Sequence, residues 1–214
     1  MELIRWLIDI VLHLDSHLVE LLRDYGLWVY VILFAIVFAE TGFVVTPFLP
    51  GDALLFAAGA LSAVDTSGTL TAPLVCLTLV IAAVTGNTTN YHIGRWIGPP
   101  AFSGKYRFLK VEYLRGTERF FARHGSMTLV MARFVPVVRT CVPFVAGIAR
   151  MPYARFQGYN SLGALAWVFT LVWAGFFFGN IPLIKNNFGF VTIGIVLVSV
   201  LPMAWVGLKE ALKK

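Results

Sequence analysis

The sequence predicts an all-α integral membrane protein: three spanning helices plus two opposed re-entrant helical hairpins in an inverted-repeat-like arrangement, with amphipathic helices at the interfaces. Three observations lead there. The 214 residues are 58% hydrophobic and only 13% charged, with a mean hydropathy of +0.80, which is more apolar surface than one soluble core of this size hides. Apolar runs recur at lengths near those needed to enter or cross a bilayer. Two of these runs are broken by proline and charge in a matching way.

The net charge of +6 does not indicate a nucleic-acid partner, because the basic residues lie between apolar runs instead of forming the face of a soluble domain. The first residues, Met1 to Arg5, lack a basic n-region and no small-residue cleavage pattern follows, so no removable signal peptide is expected. Cys76 and Cys141 sit in apolar stretches as small hydrophobes, which supports neither a disulfide framework nor a metal cluster.

The chain reads as a single polytopic domain over 1–214. Residues 1–24 mix apolar positions with Asp9, His13, Asp15, His17 and Glu20, too polar to cross lipid but suited to an interfacial helix. His13 and His17 have helical metal spacing, yet no further ligands lie near them and a polar helix face explains them. Over 26–65, an apolar arm from Leu27 to Ala39 ends at Glu40. A breaking stretch with Gly42, Pro47, Pro50, Gly51 and Asp52 follows, and then a second short arm to Val64. Two short arms around a charged tip predict re-entrant hairpin 1; a full crossing by 27–46 is the alternative.

Residues 71–94 predict a spanning helix whose second half, Thr85 to Asn90, must face protein or water. Between Arg95 and Arg123, Lys105, Arg107, Lys110, Arg115 and Arg119 outnumber Glu112 and Glu118. Tyr106, Leu109, Tyr113 and Phe120 keep helical spacing, so 104–124 is expected to form an amphipathic helix on the cytoplasmic surface. Its bases serve topology or capture anionic lipid. Residues 126–149 repeat the broken pattern around Arg133, Pro136 and Arg139, with Pro143 in the second arm, as re-entrant hairpin 2. Phe48-x-Pro50 with Ala58-Gly59 is echoed by Phe134-x-Pro136 with Ala146-Gly147, an internal repeat. Further spans are expected over 157–179 and 188–208, which leaves the C-terminal lysines on the cytoplasmic side.

Glu40, Asp52, Arg133 and Arg139 stand where charge costs roughly 2.5 to 3.5 kcal/mol on the most lenient insertion scale, so they need partners or a wet cavity. They could be ion pairs that join the hairpins, or a site. A guanidinium stays charged and offers a planar fork to phosphate oxygens, which makes Arg133 and Arg139 the candidate binders of an anionic headgroup. Glu40 suits proton coupling unless an arginine holds it ionised. Asp52 also fits a helix N-cap.

These stretches resemble the bacterial DedA family: Glu40-Thr41-Gly42, Thr46-Pro47-Phe48-Leu49-Pro50-Gly51-Asp52, Asn90-Tyr91-x-x-Gly94-Arg95 and Ala132-Arg133-Phe134-Val135-Pro136-x-Val138-Arg139-Thr140. The resemblance covers almost the whole chain. It implies a multi-pass protein of the bacterial inner membrane, in a superfamily that includes phospholipid scramblases, with opposed re-entrant hairpins and a role in membrane and envelope homeostasis. It also implies transport of a phosphate-bearing lipid such as undecaprenyl phosphate, with protons as the coupling ion and no other cofactor. The family's acids and arginines match Glu40, Asp52, Arg133 and Arg139, supported at the tips by Pro47, Pro50, Gly51, Pro136 and Pro143; Asn87 stands where similar sequences carry Asp. The expected partners are an anionic lipid and the bilayer, with association of copies left open. No enzyme activity is expected, since no nucleophile is seen beside a base. A lipid phosphatase and a non-transporting assembly scaffold are the competing classes.

The topology is testable in a Cys76→Ser, Cys141→Ser background. Single cysteines at Ser67 and Lys185 should be labelled from the periplasm, and those at Lys110 and Arg155 only from the cytoplasm. Labelling of positions 67 and 110 from one side would refute the first span.

Overall fold

Length separates the helices of this chain into two kinds. In the computed structural model, which describes residues 20, 24–43, 51–97, 121, 125–185 and 194, the described regular structure is helical, without a strand. The helices are α1 (Trp28–Gly42), α2 (Gly51–Val64), α3 (Ala72–Ile97), α4 (Thr128–Met131), α5 (Pro136–Ile148), α6 (Tyr153–Phe178) and α7 (Pro182–Lys185), with 3-10 turns at Gly125–Met127 and Ala132–Phe134. Helices α3 and α6 have 26 residues each. At ~1.5 Å per residue such a helix reaches ~39 Å, enough for a hydrocarbon core of ~30 Å. Helices α1, α2 and α5, of 15, 14 and 13 residues, reach only about two-thirds of that core.

The segments 71–94 and 157–179, expected to span, correspond to helices α3 and α6 with shifted ends, both long and apolar enough to cross a membrane, and the short arms are helical. The interfacial helix over 1–24, the amphipathic helix over 104–124, the tip with Pro47 and Pro50, and the span over 188–208 lie outside the described residues, single positions apart.

The second broken segment has a local cause. Helix α4 tightens into the 3-10 turn Ala132–Phe134, and Val135 is extended at φ −124° and ψ 104° before Pro136 opens α5. The proline ring excludes helical backbone at the preceding residue, while its fixed φ and missing N–H suit the first helical position. Pro143 lies inside α5, so the carbonyl of Arg139 loses its usual helical donor.

Contacts divide the chain into two compact units, one of 1–35, 50–79 and 168–214, the other of 36–49 and 80–167. In the first, small residues bring α2 and the end of α6 to backbone contact. A side chain at Gly59 would strike the Val172 carbonyl, and one at Gly175 the Phe56 carbonyl. Without a hydrophobic drive between helices in lipid, such close van der Waals packing is what holds them together. Asn180 adds a hydrogen bond from Nδ2 to the Ala60 carbonyl, 3.1 Å. The loop between α2 and α3 is fastened by Tyr30, whose hydroxyl donates to the Thr69 carbonyl at 3.1 Å and accepts from the Thr71 amide at 3.0 Å. Asp65 accepts from the Ser67 hydroxyl at 2.6 Å and the Leu70 amide at 2.7 Å, which hold its carboxyl below the usual range. That contribution is present above the unfolded carboxyl pKa and fades as the pH falls through the lowered folded value.

The second unit is centred on Tyr91, Leu129, Ala132, Val142, Ala146 and Phe156. The rings of Tyr91 and Phe156 stack at 4.3 Å, and the Tyr91 hydroxyl donates to the Met151 carbonyl at 2.5 Å. Here α3 and α5 touch through backbone, since a Cβ at Gly94 would meet the Phe144 carbonyl and one at Gly147 the Tyr91 carbonyl. Every buried polar or charged residue among those described belongs to this unit.

Helix α5 ends in a paired cap: the Met151 amide donates to the Ala146 carbonyl and the Arg150 amide to the Gly147 carbonyl, both at 3.0 Å. This cap needs a left-handed residue, a place usually taken by glycine, and Arg150 fills it at φ 53°. Arg150→Gly should therefore raise the stability of the purified protein by up to about 1 kcal/mol, read from denaturant or thermal unfolding in detergent. A loss of stability would contradict the strain assigned to this position.

Candidate functional site

The charged groups of the second unit meet because of where the helices break. Glu40 lies near the end of α1 and is fully buried; Arg139 lies in the first turns of α5 and is 7% exposed. Arg139 Nη2 donates to Glu40 Oε1 in a buried ion pair that joins residues 99 positions apart. Arg133, in the 3-10 turn before Pro136, is 3% exposed and takes a different set of partners. Its Nη2 donates to Asn160 Oδ1 at 2.7 Å, to the Asn160 carbonyl at 3.3 Å and to the Ala83 carbonyl at 3.5 Å. Its Nε is buried without a hydrogen-bond acceptor among the described residues.

Both guanidinium groups lie over the indole of Trp167, Arg139 at 5.0 Å and Arg133 at 5.9 Å from the ring centroid. Trp167 is 2% exposed, so this contact is made away from water, where a cation over an aromatic face is worth about 2 kcal/mol or more. Space for the Arg133 stem comes from α6: a Cβ at Gly163 would stand 3.1 Å from Arg133 Cδ and Nε.

Amides surround the charges. Asn160 Oδ1 also accepts from Asn87 Nδ2 at 3.0 Å, while Asn160 Nδ2 donates to the Val84 carbonyl at 3.2 Å. Asn90 Nδ2 donates to the Thr140 carbonyl at 2.8 Å and the Thr41 carbonyl at 3.3 Å, tying the ends of α1 and α5 to α3. The polar second half of α3, expected to face protein or water, thus buries Asn87 and Asn90 in protein.

Of the predicted site residues, Glu40, Arg133 and Arg139 are brought together. Asp52 belongs to the other unit, half-buried in the first turn of α2 just after Gly51, where an acid meets the positive end of the helix dipole. Pro136 and Pro143 set the break and the helix that carry the arginines; Pro47 and Pro50 lie outside the described residues. Sequence reasoning missed Asn160 and Trp167. The amide of Asn160 inside a spanning stretch was a usable signal, since such groups are kept for partners; an aromatic residue in an apolar run gave none.

Two helices long and apolar enough to cross a membrane, together with ions buried in the second unit, fit a helical membrane protein with polar groups inside. The comparisons give its family: the model of the VTT domain matches residues 49–177, and the chain belongs to this DedA family. It is 49% identical to Protein DedA of Escherichia coli strain K12, over 94% of the chain and 92% of that protein. It is 36% identical to the inner membrane protein YghB of the same strain, over 85% of the chain and 79% of that protein. A membrane protein of Mycobacterium tuberculosis, named as uncharacterised, is 41% identical over 78% of the chain and 73% of its own length. No solved structure matches. Relatives named as bacterial inner membrane proteins support a membrane location for this chain.

A double-mutant cycle tests the ion pair. Glu40→Gln or Arg139→Gln alone should cost about 3 to 5 kcal/mol by leaving one buried charge, and the double variant should cost clearly less than their sum. Additive losses in unfolding measurements would show that the two groups are not coupled.

Proposed function

We propose that this chain carries a phosphate-bearing lipid, such as undecaprenyl phosphate or a phospholipid, across the bacterial inner membrane, with proton coupling, in support of envelope homeostasis. The observation that carries this reading is the pair of buried guanidinium groups over one indole ring, one ion-paired to Glu40 and the other held by neutral oxygens. Guanidinium edges are matched to phosphate oxygens, and stacking on an aromatic face leaves those edges available. In this reading α1 with α2, and α4 with α5, are re-entrant hairpins, consistent with their lengths and with the break at Val135. The C-terminus is cytoplasmic.

Glu40 serves as the exchangeable partner. When a headgroup phosphate engages Arg139, the carboxylate that leaves the guanidinium takes a proton in its apolar surroundings, so headgroup and proton travel together. Transport, rather than chemistry on the lipid, is proposed because cation, carboxylate and amide together bind an anion and hold a proton.

Reconstitution into liposomes with separate assays of lipid flipping and phosphate release tests this function. Flipping without release is expected; release selects a lipid phosphatase, and neither leaves an assembly scaffold. At matched protein level, Arg133→Lys and Arg139→Lys should each slow flipping about tenfold although charge is kept, and alanine should be worse. Glu40→Gln, assayed at a matched amount of folded protein, should lose acceleration by an imposed proton gradient; an unchanged gradient response would remove the coupling role.

A further inference from the structure

The acceptors of Arg133 are the odd feature of this site. A fully buried guanidinium is ordinarily compensated by a carboxylate, because an uncompensated buried charge is strongly destabilising. Arg133 instead has three neutral oxygens on Nη2, an indole face at 5.9 Å, and a buried Nε–H without an acceptor among the described residues. The first of its oxygens is held in place from two sides. Asn160 is fully buried, its Oδ1 also accepts from Asn87, and its Nδ2 is fixed on the Val84 carbonyl. These three bonds determine which end of the amide faces the arginine: with Nδ2 on a carbonyl, the oxygen must point to Arg133.

We propose that Asn160 is the positioning residue that reserves Arg133 for an anion: its neutral amide oxygen orients the guanidinium without cancelling its charge, and the phosphate of a lipid headgroup supplies the missing negative charge at the unpartnered, buried Nε–H. This rests on the phosphate-lipid reading above and gives its two arginines different tasks. Arg139 is already matched by Glu40 and must exchange partners to bind, whereas Arg133 needs to release no carboxylate. Asn87 assists by pinning the amide of Asn160.

The discriminating variant is Asn160→Asp, which keeps an oxygen at the same place and adds the charge that the native residue withholds. A merely structural asparagine predicts unchanged ligand affinity for it. The proposal predicts, in the folded variant, a loss of affinity for dioctanoyl phosphatidic acid of at least about tenfold, as one unit of charge within hydrogen-bond reach of the guanidinium implies. Asn160→Ala, which removes the orienting oxygen without adding charge, should also lose affinity and decides the matter if Asn160→Asp does not fold. Binding is measured on the full chain in detergent, with inorganic phosphate expected to compete and dioctanoylglycerol not to; the reverse pattern would overturn an anionic ligand. Absence of phosphatidic acid binding by the parent chain would overturn the phosphate-lipid reading itself. Binding by the parent and equal binding by the folded Asn160 variants would overturn only the role of Asn160.

Discussion

The buried contact between Arg139 and Glu40 is the constraint around which the second unit is organised. Two ions taken out of water lose hydration worth several kcal/mol each, and only a close, well-supported partner returns it. That requirement fixes the end of α1 against the first turns of α5, and the supporting bonds follow from it. Asn90 bridges the carbonyls of Thr41 and Thr140, one beside each member of the pair, so the same α3 side chain sets the spacing of both. The pair is thus held by α3 as much as by its own attraction.

Close approach of backbones is the second condition, and glycine meets it. Gly86 lies under Thr41 and Phe38, Gly94 against Phe144, Gly147 against Tyr91 and Gly163 beside the stem of Arg133. In lipid, where apolar surface is no drive for helices to associate, small residues at contacts are the main source of packing. Here they also bring polar groups within hydrogen-bond reach, so packing and the polar centre share one origin. The irregular turn around Arg133 is tolerated because its surroundings are protein, which supplies the partners that hydrocarbon would not.

The two arginines differ in a way that bears on the proposed transport. An arginine locked to a carboxylate offers little attraction to a passing phosphate, while one held by amide and carbonyl oxygens keeps its full charge. Placing one of each on a single indole combines permanent attraction with an exchangeable pair. In the proposed transport, the first would draw a headgroup in and the second would let it go.

Composition and patterning by themselves indicated a helical membrane protein with long apolar helices and short arms around broken, charged segments, and they singled out Glu40, Asp52, Arg133 and Arg139, while the DedA family was legible in the motifs. Those features are local: apolar run length, proline geometry and the cost of charge in lipid act along the chain and can be read from it. Only the tertiary structure decided the pairing. Sequence could not tell which acid meets which arginine, and Arg133 takes the amide of Asn160 where an acid was expected, while Asp52 falls in the other unit. Nor could it show that Trp167, one aromatic among many in an apolar helix, carries both guanidinium groups. Partner choice is made across 27 to 99 residues of chain by helix crossing and glycine contacts, and such distances leave no periodicity for a sequence to display.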